Sequence, residues 1–229
     1  MKKVKILSLA TFALITLVVT SCKKKTDPIP TPIDTAIKDA SGNVYTPITI
    51  GTQVWLKENL RTSKYNNGDA ISNEKTAAWG MLNIGAYCIY DNLSSNDAYG
   101  YLYNGYAVTD SRGIAPVGYH VATESDWQKL ISSQGGIGSA GPRLKEMGSV
   151  HWAAQNTGSN SSGFTALGGG ARNGDATANF IVLGTLGYWW SATPAGSNLG
   201  AFYISADAVP IGSGQVPKTY GFSVRCVKD

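Results

Sequence analysis

Glycine divides this chain into short segments, and that division limits what the chain can fold into. Glycine makes up 27 of the 229 residues and clusters in stretches such as SQGGIGSAG, LGGGARNG and IGSGQ. Because glycine adopts turn conformations that other residues avoid and weakens regular elements from within, such stretches are typical of irregular connections. Short strands joined by long Gly-rich loops are therefore expected.

Several apolar or aromatic segments between these loops have the composition of β-strands. They are NVYTPITI with TQVWL as a hairpin across Gly51 and Thr52, then AYCIY, GYLYNGYAV, FIVL, GYWWSAT, AFYISA and GFSVRCV. Helix candidates are few, one from Glu124 to about Ser133 and a shorter one across Pro142 to Met147. Strands, then one or two helices, then strands again predict an α+β fold with short antiparallel strands rather than alternating βαβ units.

The stretch GYHVATESDWQKLI contains several side chains used in acid-base catalysis, yet it also has the signature of a helix start. Thr123 and Asp126 have the spacing of a capping box, and Glu124 adds negative charge at the positive end of the helix. Apolar residues then follow on one face: Trp127, Leu130 and Ile131. This pattern favours a folding device, while an active site that includes His120 remains the alternative.

The capping interpretation ranks three substitutions by their cost in stability. Thr123→Ala is expected to cost more than Asp126→Asn, because an amide still accepts a hydrogen bond. Trp127→Ala is expected to cost the most, because it removes a large buried ring.

The first 22 residues, MKKVKILSLATFALITLVVTSC, join a basic start to an apolar run that ends before Cys22. This pattern predicts a secretory signal peptide over residues 1–21, with an apolar run too short for a membrane span. VTSC looks like the lipobox of bacterial lipoproteins, so Cys22 is expected to be lipidated and to anchor the chain in the membrane. An ordinary signal peptide with an incidental Cys22 is the alternative. The proline-containing residues up to 37 are expected to form a flexible tether before a domain of residues 38–229.

The positive charge of the chain is concentrated at its start. The formal net charge is +4, from 19 basic and 15 acidic residues, but six lysines lie within the first 25 residues. The remaining 13 basic residues face 15 acidic ones, which leaves about −2. A nucleic-acid partner is therefore not expected.

With Cys22 lipidated, Cys88 and Cys226 remain as a pair in an oxidising compartment. Such a pair favours a disulfide bridge that brings the AYCIY and SVRCV strands together. Two separately buried thiols are the alternative.

Many ordered motifs between Lys38 and Asp229 resemble the bacterial family called the Fibrobacter succinogenes major paralogous domain. They include DASGNVYTPITIGTQVWLKENLRTSKYNNGDAI, AYCIYDN, YGYLYNGYAVTDSRGIAPVGYHVATESDWQKLI, RLKEMGSVHW, SGFTALGGGARNG, GYWWSAT and YGFSVRCVKD. The resemblance implies a secreted or lipid-anchored bacterial protein of unestablished biochemical function. It also implies a C-type-lectin-like fold, related to that of formylglycine-generating enzymes.

That fold relationship suggests two chemistries to look for. Lectins of this type hold sugars on calcium with Glu-Pro-Asn, Gln-Pro-Asp and Trp-Asn-Asp motifs, none of which occurs here. Two oxygen-rich loops are weak candidates for calcium binding, although turns need the same residue types. The first loop contains Asp91, Asn92, Asn96 and Asp97, and the second contains Asn173 and Asp175. Formylglycine-generating enzymes use a close cysteine pair with copper, which Cys88 and Cys226 do not suggest. No cofactor or metal is expected.

An exposed aromatic residue is the other binding candidate. Trp189 and Trp190 should point to opposite faces of a strand, so one should fill the core while the other can be exposed. Core or rim packing is the favoured interpretation, and an exposed tryptophan beside Tyr188, suited to stacking on a sugar ring, is the alternative. The weak ligand-binding candidates are therefore Tyr188, Trp189, Asp91 and Asn92.

These patterns together predict a cell-envelope lipoprotein, anchored in the outer membrane or at the cell surface, that acts as a non-catalytic binding or adhesion module. Glycans or other envelope proteins are the expected ligands. A structural component of an envelope or extracellular assembly is the alternative. An enzyme related to formylglycine-generating oxidases is a third hypothesis, and it requires a pocket that joins His120 or His151 to carboxylates.

Overall fold

The computed structural model describes residues 36–153 and 155–229. The expected signal peptide, the lipidation site Cys22 and the tether up to residue 35 lie outside the described residues. Within them, the helices are α1 Gly105–Val108, α2 Glu124–Ser133 and α3 Ala140–Leu144. Short 3₁₀ turns cover Ala77–Met81, Tyr90–Asn92 and Ser94–Tyr99. None of these helices is long and apolar enough to cross a membrane.

The strands are short. In chain order they are β1 Ile37–Lys38, β2 Val44–Tyr45, β3 Pro47–Ile50, β4 Gln53–Leu56, β5 Ser72–Asn73, β6 Ala86–Cys88, β7 Leu102–Asn104, β8 Tyr119–Val121, β9 Ala171–Arg172, β10 Phe180–Ile181, β11 Leu186–Ala195, β12 Asn198–Ser205, β13 Gly212–Pro217, β14 Gly221–Phe222 and β15 Cys226–Lys228. They form four sheets in the described part of the chain, with orders β1-β2, β10-β9-β14-β7-β6-β5, β11-β12-β13 and β3-β4-β15-β8. All of these strands pair antiparallel except β5 with β6. The α+β class is thereby confirmed, while the C-type-lectin-like arrangement remains a prediction.

Strand β11 lies between two hydrophobic clusters, which decides between the two interpretations of its tryptophans. Trp190 packs with Tyr103, Phe222 and other residues in one cluster, and Trp189 packs with Trp127 and other residues in a second. Both indole rings are fully buried. The weak candidacy of Trp189 as an exposed ligand-binding residue is therefore wrong, and the favoured interpretation, core packing, is confirmed, because both faces of β11 are covered at these two residues.

Helix α2 has the predicted capping box. The Thr123 hydroxyl accepts a hydrogen bond from the Asp126 amide, and Asp126 accepts one from the Thr123 amide. Trp127, Leu130 and Ile131 are buried, as their spacing predicts. Tilted and edge-on contacts join Trp127 to the neighbouring rings of the core. The stretch is therefore a helix start whose apolar face packs into the core.

Other elements depart from the sequence prediction at identifiable residues. GYLYNGYAV is a strand only as far as Asn104, because the Asn104 side chain accepts a hydrogen bond from the Ala107 amide and starts α1. The FIVL strand stops at Ile181, since Val182 has a left-handed backbone with φ of 56°. A side-chain cap or a turn therefore ends each strand earlier than its residue composition predicts.

The predicted disulfide between Cys88 and Cys226 is not formed, because both residues are free, buried thiols. Cys88 lies on β6 and packs with Trp79 and Leu102, whereas Cys226 lies on β15 in a different sheet and cluster. Burial raises the pKa of Cys88 to about 11, and burial also raises the pKa of Cys226. Each cysteine therefore acts as a small apolar core residue, as the alternative interpretation held.

Three buried cationic side chains, Lys145, Arg172 and Arg225, connect separate segments of the chain through hydrogen bonds to backbone carbonyl oxygens. Arg172 donates to the carbonyl oxygens of Glu74, Thr76 and Ala178. Lys145 donates through Nζ to Thr157 Oγ1 and to two backbone carbonyl oxygens, and burial lowers its pKa to about 8. Arg225 is held in the same way. Such hydrogen bonds offset the cost of removing a charge from water.

The hydrogen bonds of Asp126 reverse the expected order of the capping substitutions. Its carboxylate accepts from the Thr123 amide and hydroxyl, from His120 Nε2 and from Gln53 Nε2. Asparagine has one side-chain oxygen and cannot accept all of these bonds. We therefore expect Asp126→Asn to cost at least about 2 kcal/mol, more than the roughly 1 kcal/mol of Thr123→Ala. Trp127→Ala should still cost the most, about 3 to 5 kcal/mol.

Denaturant unfolding of the purified variants measures this order. The matched control is Gln128→Ala on the exposed face of α2, which should stay within about 0.5 kcal/mol of the unmodified protein. A smaller loss for Asp126→Asn than for Thr123→Ala would contradict the hydrogen-bond assignment.

Candidate functional site

A surface groove with aromatic side chains lies beside strand β11. Its volume is about 340 Å³, and its aromatic lining consists of Tyr188, Tyr220 and Phe222. The remaining lining residues are Ala171, Ile181, Gln215, Val216 and Pro217. We call this feature the aromatic groove. Its lining is apolar and aromatic apart from Gln215, which is exposed.

The backbone pairing of three strands places the aromatic rings. Tyr188 of β11 lies opposite Tyr203 of β12, with ring centroids 5.4 Å apart. Phe222 of β14 stacks on Tyr188 at 4.9 Å and an interplanar angle of 14°. Tyr220 lies 5.9 Å from Phe222, since residues two apart on an extended segment share a face. The rings that line the groove therefore come from two segments of the chain, β11 and residues 220–222, and Tyr203 of β12 lies next to them.

Strand β11 separates the groove from the hydrophobic cluster that contains Trp189, while the groove lies against the cluster that contains Trp190 and Phe222. Tyr188 is half-buried, while the adjacent Trp189 points to the opposite face and donates through Nε1 to Asn59 Oδ1 at 2.9 Å. Burial raises the pKa of Tyr188, and the neighbouring phenols of Tyr203 and Tyr220 raise it further. The Tyr188 hydroxyl is therefore neutral at physiological pH. A neutral aromatic surface of this kind stacks on flat apolar faces of a ligand and does not ionise or activate it.

Of the sequence-predicted ligand residues, only Tyr188 lines the groove. Trp189 is in the core. Sequence reasoning missed Tyr203, Gln215, Tyr220 and Phe222, although the alternation of Tyr220 and Phe222 in YGFSVRC signals two rings on one face. Gln215 lies on β13, a glycine-containing strand that strand composition did not suggest.

The oxygen-rich loops serve their own turns. Asp91 and Asn92 have left-handed backbones in a 3₁₀ turn, and Asn92 Nδ2 donates to the Lys75 carbonyl. Asp97 accepts the Gly100 amide through its backbone carbonyl. Asp175 Oδ1 accepts from the Thr177 amide and hydroxyl and from the Ala178 amide. Across the described residues no group of three or more His, Cys, Asp or Glu side chains is placed to hold a metal ion.

His120 is held between two carboxylates. Its Nε2 lies 3.0 Å from Asp126 Oδ2, and its Nδ1 lies 2.8 Å from Asp229 Oδ1. Lys129 and Lys228 line the same cleft, which has a volume of about 410 Å³. Burial works against the charged ring, but the hydrogen bonds to Asp126 and Asp229 outweigh it and raise the pKa of His120. Burial of Asp126 is likewise outweighed by hydrogen bonds from Thr123 and His120, which lower its pKa.

This cluster brings a histidine to carboxylates, as an active site would require, but both ring nitrogens are already occupied. A general base needs a nitrogen that faces the substrate. The Thr123 hydroxyl, a potential nucleophile, donates to Asp126 rather than to His120. His151 forms a similar contact, with Nδ1 2.9 Å from Glu146 Oε2. The geometry of the His120 cluster is that of an ion-pair clamp between β8, α2 and Asp229.

The described residues form an α+β domain that carries the aromatic groove on its surface. The model of the Fibrobacter succinogenes major domain matches residues 48–228. The chain belongs to this family, which confirms the resemblance seen in its motifs. No curated protein and no solved structure matches the chain.

The His120 clamp makes stability depend on pH in a defined direction. Because the pKa of His120 is raised above its ordinary value of 6.5, the folded state is stabilised below that pH, and the stabilisation is lost as the pH rises through the raised pKa. We expect the His120 clamp to contribute a loss of about 0.5 kcal/mol between pH 6 and pH 9, a size typical of partly exposed ion pairs. This contribution is the difference between the unmodified protein and His120→Gln, because buried Lys145, whose pKa is lowered to about 8, acts in the opposite direction above that pH in both proteins.

Urea unfolding at a series of pH values measures this loss. His120→Gln should remove this contribution, whereas Gln128→Ala, the exposed control on α2, should leave it in place. Equal slopes for His120→Gln and the unmodified protein would count against the clamp.

Proposed function

We propose that this protein is a non-catalytic binding or adhesion module of the bacterial cell envelope, and that glycans are its ligands. The observation that carries the proposal is the aromatic groove, in which Tyr188 stacks on Phe222 and is flanked by Tyr203 and Tyr220. Tyr188, Tyr203 and Tyr220 are partly exposed, whereas Phe222, only 2% exposed, packs against Tyr188 from the core. Partly exposed rings supported in this way by a rigid sheet bind the flat apolar faces of sugars with little loss of side-chain entropy.

The rigidity of the site supports a binding role. Tyr188 and Phe222 lie on strands rather than on loops, and their neighbours Trp189 and Ser223 are joined by a parallel bridge between the two segments. A groove on paired strands keeps its shape before the ligand arrives. Such a site loses less free energy on binding than one that must be ordered first.

The envelope location is part of the same proposal. The basic start, the apolar run and Ser21 before Cys22 support export and lipid attachment at that cysteine. Mass spectrometry of the N-terminal peptide from the native host tests it. Acyl groups on Cys22 are expected, and an unmodified Cys22 thiol or cleavage at another position would contradict the anchor.

A structural role in an envelope or extracellular assembly is the second candidate, and strand β13 favours it. Among the described strands β13 pairs only with β12, so Gly212–Pro217 forms an edge of its sheet. Edge strands offer unpaired backbone groups to a neighbouring chain. Size-exclusion chromatography at increasing concentration tests this candidate, and a monomer at all concentrations would count against self-assembly through this edge.

The binding proposal predicts a specific loss for Tyr188→Ala. In a glycan array probed with the soluble domain, Tyr188→Ala should lose the signals that the unmodified protein gives, with an affinity loss of about tenfold or more, typical of a central aromatic contact. Tyr119→Ala is the matched control, because Tyr119 is a half-buried tyrosine on β8 that lies outside the groove. Equal binding by Tyr188→Ala and Tyr119→Ala would contradict the assignment of the site.

A further inference from the structure

The tyrosines beside the aromatic groove form a row that is longer than the groove itself. Tyr203, 38% exposed, lies next to Tyr188 at 5.4 Å, and Tyr220 lies beyond Phe222 at the other end. Tyr203 is not part of the groove lining, so the row continues past the groove along the β11–β12 pair. We call Tyr203, Tyr188 and Tyr220 the tyrosine row. Phe222 lies between Tyr188 and Tyr220, and successive ring centroids along Tyr203, Tyr188, Phe222 and Tyr220 lie 5.4, 4.9 and 5.9 Å apart. The row is therefore long enough to contact more than one sugar unit of a chain.

The groove is uncharged, and nearby cations point elsewhere. All eight lining residues are neutral side chains. Lys218 follows the lining residue Pro217, yet its Nζ lies 3.3 Å from Thr109 Oγ1 and over the ring of Tyr106. Arg172 follows Ala171, yet it is buried and bound to carbonyl oxygens. A carboxylate or sulfate placed in the groove would lose hydration without gaining an ion pair, which is costly.

Because the tyrosine row extends beyond the groove and the groove lining is uncharged, we propose that the site binds an uncharged, unbranched polysaccharide. The polysaccharide is bound along its chain rather than at its end. This inference rests on the proposed glycan-binding function and names the class of glycan. The tyrosine row supplies the stacking surface on which successive sugar rings lie.

Gly212 determines where the far end of the row lies. It is the cross-strand partner of Tyr203, and the tyrosine ring lies directly over it. A Cβ atom at Gly212 would come within 1.9 Å of the ring carbon Cζ of Tyr203. Any side chain at this position must therefore displace the Tyr203 ring. At Gly214, on the same strand, an added Cβ meets no atom within 4 Å.

Two measurements test the proposal with the folded domain. The first is affinity electrophoresis in gels that contain neutral linear polysaccharides, namely a glucan, a mannan and a xylan, or acidic ones, namely polygalacturonate and alginate. Retardation in at least one neutral gel, reduced by Tyr188→Ala, is expected. Retardation in acidic gels alone would overturn the inference but leave glycan binding intact. No retardation in any gel and no signal on a glycan array would overturn both.

The second measurement is calorimetric titration with oligosaccharides of the retained polysaccharide, from disaccharide to hexasaccharide. Affinity should rise with length until the row is covered. Gly212→Ala and Tyr203→Ala should each weaken hexasaccharide binding about tenfold and leave disaccharide binding unchanged. Gly214→Ala should match the unmodified protein. An affinity independent of length, or equal losses for Gly212→Ala and Gly214→Ala, would overturn binding along the row.

Discussion

The guanidinium of Arg225 is buried at 1% exposure and donates hydrogen bonds to Asn59 Oδ1 and to the carbonyl oxygens of Leu56, Phe164 and Thr165. It also lies 4.2 Å from the centre of the Phe164 ring. Burial lowers its pKa to about 9, which leaves it charged at neutral pH. A buried cation without these acceptors would cost several kcal/mol. The segments that supply the acceptors are therefore held around this one charge.

Asn59 extends this network to the binding face. Its Oδ1 also accepts from Trp189 Nε1 at 2.9 Å, and its Nδ2 donates to the Tyr99 carbonyl and the Ser223 hydroxyl. Trp189 is adjacent to Tyr188, and Ser223 is adjacent to Phe222, the two stacked rings of the aromatic groove. The network thus fixes both strands, while the Tyr188 ring remains partly exposed and the buried Phe222 ring packs against it. This domain consists largely of short strands and long glycine-rich loops. Buried side-chain hydrogen bonds therefore fix the relative positions of segments that longer strand pairs would otherwise hold together.

The sequence predicts features that depend on neighbouring residues. The capping box at Thr123 and Asp126, the helix that follows it and the hairpin across Gly51 could all be predicted, because each is determined within a few residues. Tyr188 could also be selected as a candidate from the aromatic strand GYWWSAT. The family resemblance was visible in ordered motifs and is confirmed by the family model.

Features that join distant segments could not be predicted in this way. Asn59 and Arg225 are polar residues, which are mostly exposed, and nothing near them in sequence shows that they meet across 166 positions. Trp189 stayed among the ligand-binding candidates, because the second cluster that covers β11 comes from other parts of the chain. The predicted disulfide between Cys88 and Cys226 was wrong for the same reason. An even number of cysteines in a sequence does not show which sheet each cysteine-bearing strand joins. The contacts of His120 with Asp126 and Asp229 likewise depend on the alignment of β8 with β15.

Amide hydrogen exchange on Asn59→Ala tests the dependence of the binding face on this network most directly. Beyond any loss common to all segments, protection should fall together in residues 163–166, 188–190 and 222–226, while Asn67→Ala, an exposed asparagine control, should leave them unchanged. Faster exchange confined to the residues beside position 59, with the other three segments still protected, would contradict the account.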